Sequence, residues 1–221
     1  PYTLSPLLID YSEYDRRHRK GISGFILRSF PENMTEYIKS IARWITGKDA
    51  LPGKSYLWQG QEKSIRKILQ HASWILPNSE SEFKKLWNKY RVVNNYSIVP
   101  NGINTDLFKD METHPKDELL VVCAARIEGV KNQFNLIRAL NNTRFKLLII
   151  GAPTPNQPQY FEECKNIAAA NISFCDQLPQ EKLLEYYRLA KVHVLPSWFE
   201  SCGLSSLEAA AMGCNIVITD K

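Results

Sequence analysis

The sequence predicts an α/β chain built around a doubly wound parallel sheet, and three observations point to it. Between residues 119 and 219, short apolar runs alternate with segments of helical period. The runs are apolar throughout rather than at every second position, which is what strands covered on both faces require. Glycines close two of the segments, at Gly151 and Gly213, as expected where a strand or helix must stop.

Taken in order, residues 119–125 read as a buried strand, 133–140 as a helix, 146–150 as a strand and 160–170 as a helix. Strand 172–175, helix 181–189, strand 192–195, helix 204–212 and strand 215–219 complete the alternation. The first half is less regular. Residues 4–9 read as a strand. Residues 32–46 form an amphipathic helix with Met34, Tyr37, Ile38, Ile41, Trp44 and Ile45 on one face, a face expected to pack on the core. A second helix covers 61–72. A short strand at 74–76 leads to Pro77-Asn78-Ser79, where Ser79 and Glu82 make a capping box that opens a helix to about Tyr90. A strand at 96–99 runs into the turn Pro100-Asn101-Gly102. The polar, irregular stretch that follows holds the domain boundary, giving expected domains at 1–104 and 105–221. The last strand reaches Lys221 with no helix to cover it, and the first half has few strands. Both ends therefore read as truncated.

A chain of 221 residues, 44% apolar, suffices for one large domain or two modest ones. It contains no run of about 20 apolar residues able to span a bilayer. The net charge of +5 is unevenly spread: residues 1–100 carry 16 Lys+Arg against 9 Asp+Glu, and residues 101–221 carry 12 against 14. The first part favours an anionic partner, such as a phosphate-bearing acceptor, an acidic membrane surface or nucleic acid, or else is an ordinary solvated basic surface. Five cysteines, with no metal-ligand spacing, suit a reducing cytoplasm.

Two segments carry chemistry. Ala125-Arg126-Ile127-Glu128-Gly129-Val130-Lys131-Asn132-Gln133 follows a predicted strand and opens a helix. A cation near a helix N-terminus opposes the macrodipole, so Lys131 makes sense beside an anion gathered by the dipole, Lys131 and Arg126 together. The other reading is a pair of surface cations. The second segment, Ser197 to Glu208, also lies at a strand's carboxyl end. Gly203 would let backbone amides approach a phosphate closely. Glu200 and Glu208 would accept hydrogen bonds from sugar and ribose hydroxyls in one crevice. Against this, Ser205 and Glu208 also have capping-box spacing, and Glu200 can be read as a solvated loop residue.

Taken together, these segments resemble the nucleotide-sugar domain of the family 4 glycosyltransferases, which have the two-domain GT-B fold. Arg126 and Lys131 match the family's Arg…Lys pattern, and Glu200 and Glu208 match its Glu-x7-Glu signature, with Gly203-Leu204 and Glu208-Ala209 in the usual places. Leu76-Pro77-Asn78-Ser79 looks like the end of the acceptor domain, and Val99 to Asn104 with Phe108 looks like the interdomain link. The resemblance covers residues 72–221 well and 1–71 weakly. It implies a GT-B type chain: a Rossmann-like parallel-sheet nucleotide-sugar domain plus an incomplete acceptor domain. It also implies transfer of a sugar from a nucleotide-sugar donor, with retention of anomeric configuration, to a lipid-linked or polysaccharide acceptor. Arg126 and Lys131 would bind the diphosphate and Glu200 the donor sugar, the three serving catalysis. Glu208 would hold the ribose, the amides of Gly203 and Leu204 would touch phosphate, and residues 174–178 would border the base. No cofactor and no metal is expected. Three departures stand out: Asn104 replaces the usual Asp, Cys202 replaces an aromatic or small residue, and Tyr2 to Pro6 lacks the His found in many members. No acceptor-side catalytic residue is assigned.

The run Arg16-Arg17-His18-Arg19-Lys20 suits a lipid diphosphate or anionic lipid, or a solvated loop. Peripheral contact with the inner face of the cell membrane is one expectation; nucleic acid is not expected as a partner. Of the histidines, only His193 falls inside a predicted strand, where it reads as structural. Two other functions fit the same residues: another GT-B enzyme such as a nucleotide-sugar epimerase, and a non-enzymatic anionic-ligand-binding protein. A nicotinamide-dependent dehydrogenase is disfavoured by the absence of Gly-x-Gly-x-x-Gly.

Overall fold

The computed structural model describes residues 7–19, 21–45, 54–109, 115–155 and 157–220. The chain divides into two compact units, Pro1–Pro100 and Asn101–Lys221. The division falls four residues before the boundary read from the sequence.

The second unit holds five parallel strands: β1 (Asp117–Ala124), β2 (Lys146–Ile150), β3 (Ile172–Cys175), β4 (Ala190–Leu195) and β5 (Asn215–Ile218). They lie in the order β3-β2-β1-β4-β5. The continuous apolar runs have a direct cause, because alternate residues of β1 enter two different cores. Val122 and Ala124 join Ile150, Leu184, Tyr187, Ala209 and Met212 on one face. Val121 and Cys123 join Ile137, Leu147, Ile149 and Cys164 on the other. Helices α6 (Gln133–Leu140) and α7 (Pro158–Ile167) cover the second face, and α8 (Gln180–Leu189) and α9 (Leu204–Ala211) cover the first. Each fully buried Leu or Ile contributes about 1.5–3 kcal/mol, so the period-2 pattern fixes the register Val122↔Leu148 and Val122↔His193. At the end of β2 the backbones come together: a Cβ on Gly151 would lie 2.1 Å from the Ala125 carbonyl oxygen, so only glycine fits.

At the amino end of the sheet, ion pairs Lys146–Asp117 and Lys191–Glu118 join neighbouring strands, and a third cation ties the helix ends. The Lys116 ammonium donates to the carbonyls of Tyr187 (3.1 Å), Arg188 (3.2 Å), Ala190 (3.2 Å) and Met212 (2.9 Å). It thereby satisfies carbonyls left over where α8 and α9 end.

The first unit is helical, with α1 (Leu7–His18), α2 (Gly21–Ser29), α3 (Glu32–Ile45), α4 (Lys54–His71, broken at Gly60) and α5 (Glu80–Tyr90). Three expectations are corrected here. Residues 7–9 belong to α1 rather than to a strand, and residues 4–6 lie outside the described residues. The apolar run there opens a helix, in which Tyr11, Tyr14 and His18 recur at helical spacing and Tyr14 stacks on His18 at 4.5 Å. The strands expected at 74–76 and 96–99 reduce to one parallel bridge, Ile75↔Tyr96, because no further strand extends the pairing among the described residues. The apolar face of α3 is not buried: Met34, Ile38, Ile41, Trp44 and Ile45 are all exposed, and the helix buries Thr35 instead. The capping box at α5 forms as read, with the Glu82 amide donating to Ser79 Oγ at 3.2 Å and the Glu82 carboxylate reaching back to the Asn78 amide.

Candidate active site

β1 and β4 are neighbours in the sheet, although two strands and three helices separate them in sequence. The strand order therefore reverses between them, and in an open parallel sheet the ligand crevice opens at the carboxyl ends on either side of such a reversal.

The loop after β1 stays close to the strand beside it. The Ile127 amide donates to Ala152 O (2.9 Å) and the Thr154 amide to Ile127 O (3.1 Å). A 3-10 turn over Gly129–Lys131 follows, and Asn132, at φ 60°, redirects the chain into α6. Gln133 is fully buried and holds the loop through its Nε2, which donates to Arg126 O at 2.8 Å. Gln157 Oε1 accepts from the Gly129 amide at 2.7 Å. The Arg126 guanidinium projects outward, with its side chain 63% exposed, and pairs at 3.1 Å with Glu128, which is 6% exposed.

The loop after β4 is fixed at three points. Ser197 is buried, its carbonyl accepts from Thr219 Oγ1 at 2.6 Å beyond β5, and the next amide, Trp198, donates to Val130 O at 2.8 Å. That last bond joins the two loops across the strand reversal. Beside it, the Lys131 ammonium meets Glu200 Oε2 at 2.5 Å, with side chains 16% and 25% exposed. Ser197 Oγ donates to the same oxygen at 3.3 Å, and the Ser201 amide donates to Glu200 Oε1 at 3.3 Å. Gly203, left-handed at φ 58°, turns the chain into α9, and no side chain caps that helix. A Cβ at Gly203 would stand 3.4 Å from Glu200 Cγ. Leu204 begins α9 and is exposed.

Glu208 does not form a capping box with Ser205. The left-handed Gly203 starts α9 two residues earlier, so Ser205 is already inside the helix. Glu208 is buried and accepts from Gln180 Nε2 at 3.2 Å. Burial pushes its carboxyl above the ordinary value, and the Gln180 bond opposes that rise. In the segment expected to border a base, Phe174 packs edge-to-face on Phe161 at 5.5 Å, and Cys175 and Leu178 pack on a core. No group of three His, Cys, Asp or Glu side chains with metal-holding geometry occurs among the described residues.

Of the residues singled out in the sequence, Lys131 and Glu200 are thus brought into contact from loops 69 positions apart. Arg126 lies on the same loop as Lys131, and Gly203-Leu204 on the same loop as Glu200. Glu208 meets a partner that was not expected. Glu128, Gln133 and Ser197 stand in the two motifs without an expected role, and Gln180 lies outside them. Glu128 lies between Arg126 and Lys131 in the same motif, and Ser197 comes two residues after β4; both positions were signals available to be read.

The second unit is an α/β domain with a doubly wound parallel sheet of GT-B type, with paired ions at its strand reversal. The chain belongs to the Glycosyl transferases group 1 family, which it matches over residues 104–221. It is 25% identical over 173 residues to the D-inositol 3-phosphate glycosyltransferase of Acidothermus cellulolyticus, an alignment covering 68% of this chain and 39% of that protein. Its fold is similar to that of sucrose-phosphate synthase from Thermosynechococcus elongatus (TM-score 0.63, 22% identity, 82% of this chain and 48% of the other). It is likewise similar to Anabaena HepE in complex with UDP and glucose (TM-score 0.60, 15% identity, 85% of this chain and 57% of the other). The chain thus spans well under two thirds of the length of these proteins.

Proposed function

We propose that the crevice between the β1 and β4 loops binds the diphosphate and sugar of a nucleotide-sugar, in a glycosyltransferase that retains anomeric configuration. The observation that carries this reading is the contact of Lys131 with Glu200 at 2.5 Å, at the strand reversal of a family domain. A donor presents two kinds of group, phosphate oxygens and sugar hydroxyls, and the site sets a cation and a carboxylate side by side to meet them. As the bond from the anomeric carbon to the phosphate oxygen breaks, charge develops on the leaving diphosphate, and Lys131 and Arg126 stabilise it. The acceptor hydroxyl forms the new bond on the same face and gives its proton to the departing phosphate oxygen. These cations supply the positive charge, so the reading calls for no metal. Glu208, with the Gly203 and Leu204 amides, completes the donor site.

The acceptor in this proposal is anionic, lipid-linked or polysaccharide, in keeping with the excess of 16 Lys+Arg over 9 Asp+Glu in residues 1–100. Peripheral contact with the inner face of the cell membrane draws support from the exposed apolar stripe of α3, Met34, Ile38, Ile41 and Ile45. Work in the cytoplasm agrees with five cysteines that are all free thiols. No described helix is long and apolar enough to cross a membrane.

The test is melting of the chain against UDP, GDP, ADP and their sugar conjugates, since a ligand that binds only the folded state raises the melting temperature. One base is expected to give a clear shift, and Lys131→Met should weaken binding of the diphosphate much more than that of the nucleoside. Equal loss of both would overturn the phosphate assignment. In the intact enzyme, Glu200→Gln should lower turnover by about a hundredfold or more, the scale of one lost transition-state contact in a preorganised site.

A further inference from the structure

We propose that Glu200, through its contact with Lys131, makes the site discriminate between a nucleotide-sugar and the bare nucleoside diphosphate that transfer leaves behind. The inference rests on reading this crevice as a nucleotide-sugar site and assigns to one carboxylate the choice between substrate and product.

The carboxylate is held in place. Oε2 receives Lys131 Nζ at 2.5 Å and Ser197 Oγ at 3.3 Å, and Oε1 receives the Ser201 amide at 3.3 Å. Ser197 is itself buried and tied through its carbonyl to Thr219 at 2.6 Å. These bonds hold the Glu200 carboxylate beside the ammonium when a second anion comes to Lys131.

A bare diphosphate must then share the ammonium with a carboxylate, two like charges around one cation in a site only 16% and 25% exposed at the two side chains. A nucleotide-sugar meets the same cation, but its sugar carries hydroxyls that donate to Glu200 and stabilise its charge. The donor therefore gains at Glu200, while the product is opposed there. After transfer the hydroxyls leave with the sugar, the opposition returns, and the diphosphate is expelled as Lys131 and Glu200 pair again.

The experiment is a double-mutant cycle read by calorimetric titration of the intact protein, using Glu200→Gln, Lys131→Met, the double variant and wild type. The probes are UDP, GDP and ADP, each alone and as its glucose conjugate. For the base that binds, Glu200→Gln should tighten the diphosphate about fivefold, equivalent to roughly 1 kcal/mol, and should weaken the sugar conjugate. In the Lys131→Met background the tightening should vanish. Tightening of equal size in both backgrounds, or none in either, overturns the proposal. Should Glu200→Gln fail to fold, Ser197→Ala loosens the carboxylate without removing its charge and must narrow the ratio of conjugate to diphosphate affinity; an unchanged ratio overturns the proposal as well. If none of the probes binds any of these proteins, the donor-site reading falls and takes this inference with it. Binding without the coupling removes the inference alone.

Discussion

Two lysines at opposite ends of the parallel sheet, Lys116 and Lys131, are held in opposite ways. At the amino end, Lys116 is surrounded by four backbone carbonyls, at Tyr187, Arg188, Ala190 and Met212. At the carboxyl end, Arg126 and Lys131 face carboxylates, Glu128 and Glu200. A ligand cannot take Lys116 without unfastening the ends of α8 and α9. It can take Lys131 by offering phosphate to the ammonium and hydroxyls to Glu200. The lesson is that a cation's availability follows from its partners more than from its exposure: backbone carbonyls commit a charge to the fold, and side-chain carboxylates leave it exchangeable.

The largest effect should come from breaking the committed end. Lys116→Met removes charged hydrogen bonds to four carbonyls that lie partly buried. Hydrogen bonds from a charged group contribute about 1.5–3 kcal/mol, and a cation at a helix C-terminus adds up to about 2 kcal/mol. We expect a loss of about 3 kcal/mol in urea unfolding, with nucleoside diphosphate affinity unchanged once the protein is folded. The same substitution at Lys131 should reverse the pattern. If Lys116→Met weakens the diphosphate as strongly as Lys131→Met does, the division between the two ends is wrong.

The contrast also explains what was legible in the sequence. Strands 146–150 and 172–175 and helix 133–140 were read at their observed bounds, because two-sided burial leaves a continuous apolar signal and Gly151 permits a contact no other residue fits. Arg126, Lys131 and Glu200 stand out in the sequence because they follow predicted strands and match the Arg…Lys and Glu-x7-Glu pattern of the family together. The pairing of Lys131 with Glu200 was not legible, since it joins loops 69 residues apart and depends on β1 lying beside β4. Residues 7–9 misled because a run as short as Leu7-Leu8-Ile9 has no period of its own. The Ser205–Glu208 capping box, the alternative to a ligand role for Glu208, does not form because a left-handed glycine opens α9 without a side-chain cap, and spacing alone cannot tell Gly203 from Ser205 as the start.

Between the two ends lies His193, inside β4 and fully buried, with Nδ1 at 3.5 Å from Ser206 Oγ and Nε2 without a partner. Burial lowers its pKa from 6.5 to about 4. Because the folded value lies below the unfolded one, the full stability is present above about pH 6.5 and is lost as the pH falls toward 4. By linkage the loss is at most about 3 kcal/mol. Glu208 acts in the opposite sense, since its raised carboxyl favours the folded state as it takes a proton on acidification. Unfolding measured from pH 7 to pH 4 should therefore show a net fall that His193→Leu flattens. A variant that keeps the full acid slope would assign that slope elsewhere.

The smallest effect sharpens the exchangeable end. Gly203 is left-handed at φ 58°, and an added Cβ would meet Glu200 Cγ at 3.4 Å, Leu195 Cδ2 at 3.5 Å and Ser206 Oγ at 3.6 Å. These are ordinary contact distances, so the cost of Gly203→Ala is mainly the left-handed backbone, about 1–2 kcal/mol for a residue with a side chain. The methyl would also stand over the stem that fixes Glu200 and over the uncapped start of α9. Two readouts separate these consequences: chemical unfolding reports the backbone strain, and diphosphate titration reports whether the amides of Gly203 and Leu204 are still presented to phosphate. We expect about 1 kcal/mol in the first and a few-fold loss in the second. A stability loss with untouched affinity would show that the turn into α9 shapes the fold alone, and would leave Lys131 and Arg126 as the groups that recognise phosphate.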